Sequence, residues 1–252
     1  MVTRKSRREI EKMRVAGRIV AEVLALVESE LRPGVSTAHL DRLAERHIRS
    51  SGGVPSFVGY GHRSNPFPAS LCISIDDEVV HGIPGDRQIR TGQVVSVDAG
   101  AIYDGWHGDG ARTFVVGSAS ADLVALVDTT RLAMMAGIAA AMPGANLGDI
   151  SAAIEDAATP GGYGIVRPFV GHGIGTEMHQ EPQVPNYRTG TRGMKLAEGI
   201  CLAIEPMLTL GDPDVSIKAD GWTVVTRDGS TAAHFEHTIA ITANGPEILT
   251  TV

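Results

Sequence analysis

The sequence predicts an α+β fold made of two related halves. Three observations carry that expectation. Long stretches of helical periodicity lie at 10–31 and 121–141, an Asp104-Gly105 hairpin signal separates two strand-like runs, and four short strings return in the same order later in the chain. The 252 residues are 43% hydrophobic and 20% charged, which suits a globular chain with a sizeable core rather than a disordered one.

The first helix is read from Ile10, Met13, Ala16, Val20, Val23, Leu24, Val27 and Leu31, which recur mostly at steps of three and four, and Pro33-Gly34 ends it. Ser36 or Thr37 caps a second helix through Leu40, Leu43, Ala44 and Ile48, stopped by Gly52-Gly53. A loop from Pro55 to Ser70 leads to a strand at Leu71–Ile75. The run from Gln93 to Tyr103, the Asp104-Gly105 turn and the run from Trp106 to Val116 form a hairpin. Helices are then expected at Ala121–Ala141 and Leu147–Ala158, separated by Pro143-Gly144. Strands are expected at Gly164–Val170, Gly199–Ile204, Trp222–Arg227 and His234–Ile241.

Four echoes suggest duplication. Helix, Pro-Gly, helix occurs at Pro33-Gly34 and at Pro143-Gly144, and His81-Gly82-Ile83 returns as His172-Gly173-Ile174. Gly92 precedes Asp98 by six positions, as Gly199 precedes Glu205. Asp104-Gly105-Trp106 returns as Asp220-Gly221-Trp222. No linker divides the chain, so 1–252 is expected to be one catalytic domain with pseudo-symmetric halves of approximately 1–120 and 121–252.

Composition narrows the function classes. Net charge is −7, which argues against general affinity for nucleic acid or anionic lipid. Cys72 and Cys201 are too few for a disulfide framework or a thiolate zinc site, so a reducing, cytoplasmic setting is expected. No apolar run of about 18 residues, the length of a membrane span, is read from the sequence, and the basic N-terminus lacks a signal-peptide core.

The hairpin places acids. With a two-residue turn, Tyr103 faces Trp106, Gly100 faces Asp109 and Asp98 faces Ala111, which puts Asp98 and Asp109 on one face as diagonal neighbours. Asp98 ends an apolar run, as Glu205 does in the second half, and unpaired carboxylates are costly there. His172 lies between glycines that let backbone approach a ligand, and Glu236 sits in an apolar-flanked strand. His39, His47 and His62 are read as structural or exposed. Asp98, Asp109, His172, Glu205 and Glu236 together offer the oxygen and nitrogen donors of a divalent-metal site, and their four negative charges balance two M²⁺ ions. His-Glu-x-x-His, Cys-x-x-Cys, Gly-x-Ser-x-Gly and phosphate-loop patterns are missing.

At these residues the chain resembles the type I, bacterial-type methionine aminopeptidases. The resemblance is carried by Cys72-Ile73-Ser74-Ile75, Val80-His81-Gly82-Ile83-Pro84, Asp104-Gly105-Trp106-His107-Gly108-Asp109, Gly171-His172-Gly173-Ile174-Gly175, Ile204-Glu205-Pro206-Met207 and Glu236-His237-Thr238-Ile239, and it covers nearly the whole chain. It implies the pita-bread fold, two pseudo-twofold halves with a curved antiparallel sheet and helices outside. It also implies removal of the initiator methionine when the next residue is small, by attack of metal-activated water. Carried over by motif, Asp98 matches a bidentate ligand, Asp109 and Glu236 match bridging carboxylates, and His172 and Glu205 match the remaining ligands of two divalent ions (Co²⁺, Mn²⁺, Fe²⁺ or Zn²⁺). His81, His179 and Glu205 match catalytic residues, both histidines also binding substrate. Tyr60, Phe67, Cys72, Met178 and Trp222 match the lining of the methionine slot. Met178 stands where the family commonly has an aromatic, and the Gly61–Pro66 loop is longer than usual.

The implied partners are peptides with an N-terminal methionine, with the ribosome a further candidate, no specific nucleic acid and no membrane, for a monomer. Two competing readings remain at this stage. A prolidase or aminopeptidase P shares the ligand set but carries an extra N-terminal domain. A non-catalytic pita-bread relative would bind nucleic acid or protein and tends to lose ligands and gain basic tails.

Overall fold

A computed structural model describes residues 2–252. Helix α1 (Arg7–Glu30) starts at Ser6, whose hydroxyl accepts from the Glu9 amide while the Glu9 carboxylate accepts from the Ser6 amide. Helix α2 (Thr37–Ser50) follows, capped by Ser36. Strands β1 (Val54–Pro55), β2 (Leu71–Ile75), β3 (Glu78–Val80), β4 (Val94–Tyr103) and β5 (Trp106–Val115) complete the first half. The second half opens with α3 (Ala121–Ala140) and α4 (Leu147–Ala158), then β6 (Gly164–Ile165), β7 (Gly171–Gly173), β8 (Gln180–Val184) and β9 (Cys201–Ile204). It continues with β10 (Met207–Thr209), β11 (Val215–Ile217), β12 (Val224–Thr226), β13 (Ala232–His234), β14 (Glu236–Thr242) and β15 (Gly245–Ile248).

The main sheet is antiparallel, in the order β1-β4-β5-β14-β9-β7-β8, with β2 also on β4 and β15 on β14. β5 and β14 form its centre, so the two halves join by backbone hydrogen bonds. Alternation decides which face meets the helices. On β4, Val95, Val97, Ala99 and Ala101 enter the core with Val20, Val23, Leu24, Leu40 and Ile48, while Ser96, Asp98 and Gly100 face the other way. On β9 and β14, Leu202, Ile204, Ile239 and Ile241 do the same with Met134, Ile138, Ile150 and Ile154. α1 lies very close to β5: a Cβ on Gly108 would sit 2.6 Å from the Gly17 nitrogen, so a side chain there would push the helix off the sheet.

Two of the recurrences mark true equivalence. Gly34 and Gly144 both turn at positive φ (90° and 86°), and their amides donate to Ile89 and Leu196. Gly92 and Gly199 (86° and 90°) turn the chain into β4 and β9. Ser36 and Asn146, the residues before α2 and α4, each form an isolated bridge, to Gln88 and Lys195.

The other two recurrences are coincidences of string. His172 lies in β7, laddered on β9, whereas the strand in the matching place on β4 is β2; His81 instead follows β3, with φ of 60°. Asp220-Gly221 turns between β11 and β12, which pair with each other in a separate small sheet whose other edge is β3, on β12.

Several strand expectations shrink. Gly164–Val170 is paired only over β6, Trp222–Arg227 only over β12, and His234–Ile241 is two strands in different sheets, broken at Phe235. α3 departs from the reading that no run reaches membrane length, being long and apolar enough by composition to cross one. Here it packs on α4, with Ile150 and Ile154 against Gly137, and leaves Val124 and Leu132 exposed.

Candidate metal centre and substrate pocket

The concave face of the sheet receives the acids by register. Tyr103 pairs with Trp106 across a turn in which Asp104 and Gly105 both have positive φ (48° and 79°), the backbone that suits the strand twist. Asp98 is then opposite Ala111, Ala111 is opposite Glu236, and Asp109 lies two residues along β5 on the same face. On the other side, His237 is opposite Ile204, which brings Glu205, the next residue, level with Glu236. His172 is opposite Ala203, two residues before Glu205. Directly opposed residues and residues two apart share a face, so all five side chains point to one side.

One ligand atom each from Asp109, His172 and Glu236 lie within 4.8 Å of one another, and all three residues are buried. His172 Nε2 is 3.3 Å from Glu205 Oε1. Its Nδ1 is 2.9 Å from the Gly173 carbonyl, which can only accept, so the proton is on Nδ1 and Nε2 presents a bare lone pair to the cluster. Thr238 holds Asp109 in place, accepting from its amide at 3.0 Å and donating to its carbonyl at 2.8 Å.

Electrostatics favours a cation here. Among the described residues lining the cavity there is no lysine or arginine. Burial pushes the Asp98 carboxyl up to about 7. Asp109, Glu205 and Glu236 are raised well above the usual range by burial and then by one another's charge. Asp98 Oδ1 and Glu236 Oε1 are buried with no hydrogen-bond partner. Burial likewise drives His172 down to about 3, with neighbouring His179 adding to it, so it is neutral. Four acids, a neutral imidazole and bare oxygens make a donor set that fits hard to borderline divalent cations.

The cavity above this floor is about 790 Å³ and is lined by all twelve expected residues: Tyr60, Phe67, Cys72, His81, Asp98, Asp109, His172, Met178, His179, Glu205, Trp222 and Glu236. Phe67, Cys72 and Met178 form a buried apolar cluster with Phe57, and Trp222 packs against it. The Trp222 ring meets Phe67 edge-on at 5.2 Å, and its Nε1 donates to the Asn65 carbonyl at 3.1 Å. Asn65 Nδ2 donates in turn to the Asp220 carbonyl. The Gly61–Pro66 loop therefore clasps Trp222. Tyr60 stands outside this cluster. Its hydroxyl is 2.6 Å from His179 Nδ1, and with the phenol donating, the His179 proton sits on Nε2. His81 lies edge-on to Phe169 (5.6 Å) and Trp222 (6.3 Å), and burial brings its pKa down to about 4.

Sequence reasoning missed Phe57, Phe169, the Asn65 clasp and His234. His234 sits on β13 with 2% exposure, its Nε2 3.8 Å from Glu205 Oε2. Its only signal was its place beside Phe235-Glu236; the strand break that swings it into the cavity is a tertiary feature.

The chain is similar to known metallopeptidases over nearly its whole length. The model of metallopeptidase family M24 matches residues 11–243. The methionine aminopeptidase of Clostridium acetobutylicum is 50% identical over 251 residues, covering 99% of each chain, and methionine aminopeptidase 1 of Bacillus subtilis is 45% identical over the full length of both. A methionine aminopeptidase structure from Thermotoga maritima superposes with a TM-score of 0.96 at 43% identity, covering both chains entirely. Prolidase from Pyrococcus furiosus shares the fold, with a TM-score of 0.78 at 24% identity, and this chain spans 65% of it. The chain has the pita-bread fold and belongs to metallopeptidase family M24, a family of divalent-metal hydrolases.

Proposed function

We propose that this chain is a type I methionine aminopeptidase. It would remove the N-terminal methionine from peptides whose second residue is small, acting in the cytoplasm as a monomer and a single catalytic domain on chains emerging from the ribosome. The observation that carries this reading is the convergence of five donor side chains, with no lysine or arginine among the described residues around them, on the floor of a cavity that closes on an apolar slot.

Asp98, Asp109, His172, Glu205 and Glu236 would hold two divalent cations, Co²⁺, Mn²⁺, Fe²⁺ or Zn²⁺, whose charge balances four carboxylates. When bound, such cations polarise the scissile carbonyl and bring the pKa of water towards neutrality. Glu205 takes the proton of the attacking water and hands it to the leaving amine. His179, with Nε2–H directed by Tyr60 on its other nitrogen, donates to the carbonyl oxygen as charge develops there. His81, neutral and braced by Phe169 and Trp222, holds the scissile nitrogen.

The methionine side chain fits between Phe57, Phe67, Cys72, Met178 and Trp222, where its thioether meets aromatic edges.

The test is removal of metal with a chelator and readdition of each cation in turn, assayed on Met-Ala-Ser and on an X-Pro dipeptide. The expected result is metal-restored release of methionine from Met-Ala-Ser and none from X-Pro. Turnover of X-Pro alone would instead support a prolidase.

A further inference from the structure

Among the described residues, His234 is the one imidazole in the cavity for which the proposed reaction has no use, and its surroundings are unusual. It is 2% exposed, and both of its ring nitrogens are buried without a hydrogen-bond partner. A buried imidazole normally satisfies at least one nitrogen, since leaving a polar atom bare costs about 1–3 kcal/mol. The backbone, not the ring, is tied down: the His234 amide donates to Thr113 Oγ1 at 2.9 Å, and the Thr113 hydroxyl donates to the His234 carbonyl at 2.6 Å. Thr113 lies on β5, two residues beyond Ala111 and on the same concave face, so this clamp holds His234 over the floor of the cavity.

Glu205 has an imidazole on either side. Oε1 is 3.3 Å from His172 Nε2 and Oε2 is 3.8 Å from His234 Nε2. The second distance exceeds that of a good hydrogen bond. At bond lengths of about 2.0–2.2 Å the first separation matches two donors on one tetrahedral cation, and the second is bridged by a cation once the nitrogen–cation–oxygen angle opens to about 120–130°.

Resting on the metallopeptidase reading of this site, we propose that His234 Nε2 and Glu205 Oε2 form an auxiliary cation subsite beside the two main cation positions, sharing only Glu205 with them. One nitrogen and one oxygen donor select cations with affinity for imidazole, such as Zn²⁺, Co²⁺ and Ni²⁺, over Mn²⁺. With only two protein donors, the subsite fills after the acid-rich centre. Occupation engages the oxygen of Glu205 that is otherwise free to carry a proton, so excess Zn²⁺ slows turnover.

The experiment is a Zn²⁺ titration of protein labelled with ¹⁵N-histidine, followed by NMR of the ring nitrogens, with the His234 signal assigned by its loss in H234Q. H234N serves the same purpose if H234Q folds poorly, as judged by circular dichroism. The expected result is a coordination shift of His234 Nε2 beyond two equivalents of Zn²⁺, at least tenfold weaker binding of that further equivalent in H234Q, and Mn²⁺ affinity changed less than twofold. Inhibition by excess Zn²⁺ is lost in the same variant. A His234 signal indifferent to Zn²⁺, or a further equivalent bound equally well by H234Q, overturns the subsite. Failure of the wild-type protein to bind any cation tightly sinks the metallopeptidase reading itself, whereas two tight equivalents that support turnover with His234 silent remove the auxiliary subsite alone.

Discussion

The β4–β5 hairpin and the β9–β14 pair occupy matching places on either side of the sheet's centre, and each presents two carboxylates to the concave face. Their connections differ. β4 and β5 are joined by the two residues Asp104 and Gly105, whereas β9 and β14 are joined by the excursion 205–235, which builds β10 to β13. The first connection sets register. The second carries Trp222 and His234 into the cavity. Duplicated geometry thus supplies the acids, and the unduplicated excursion supplies much of what distinguishes this pocket.

If the two halves contribute equally, Asp98→Asn and Glu236→Gln should be similarly damaging. Each is expected to lower kcat/KM on Met-Ala-Ser by about 10³-fold or more, the equivalent of about 4 kcal/mol of lost charge stabilisation. Steady-state kinetics on folded variants checks this, and a large loss from one half beside a small loss from the other would break the equivalence.

The excursion is tested next. A Cβ on Gly61 would fall well inside contact distance of the Trp222 ring, and Gly61 itself has φ of 93°. Gly61→Ala should displace Trp222 and cost about 10-fold in kcat/KM for methionine, as expected for a loosened apolar pocket. The loss for a substrate with N-terminal alanine should be smaller. Equal losses on both substrates would place the effect outside the slot.

Metal and pH sharpen the comparison further. In the metal-free fold, burial raises Asp98 to about 7 and the other three carboxyls well above their usual values. The folded state therefore keeps protons that the unfolded chain releases from about pH 4. Stability from this cluster falls as pH rises from about 4 through 7. Cations replace those protons, so the rise in Tm on adding Mn²⁺ should be small at pH 5 and larger at pH 7.5. An equal rise at both values would contradict the assignment.

The smallest effect belongs to the turn. Gly105→Ala places a side chain at φ of 79° and should cost about 1–2 kcal/mol. That corresponds to roughly 2–8 °C in Tm at about 2–4 °C per kcal/mol. Activity should change little, because the packed face of β4 also holds the register.

These contrasts explain what could be read from the chain. Helix α1, helix α2 and the β4–β5 hairpin depend on local signals: caps, period and an Asp-Gly turn. The acids of the first half followed from turn parity. The second half was harder, because β9 and β14 are neighbours only through a long excursion. The short strands β10, β11 and β13 are set by tertiary pairing, which no local pattern announces. Two of the four repeated strings, His-Gly-Ile and Asp-Gly-Trp, misled for the same reason: similar letters lie in strands with different partners. Tyr60 lines the cavity, and its hydroxyl also contacts His179, a relation that depends on where two distant loops meet.

Anomalous diffraction from crystals loaded with Co²⁺, recorded at the cobalt edge, tests the central claim most directly. Two peaks about 3.5–4 Å apart are expected over the concave face, enclosed by Asp98, Asp109, His172, Glu205 and Glu236. Peaks away from these residues, or none in a protein that still releases methionine, would contradict it.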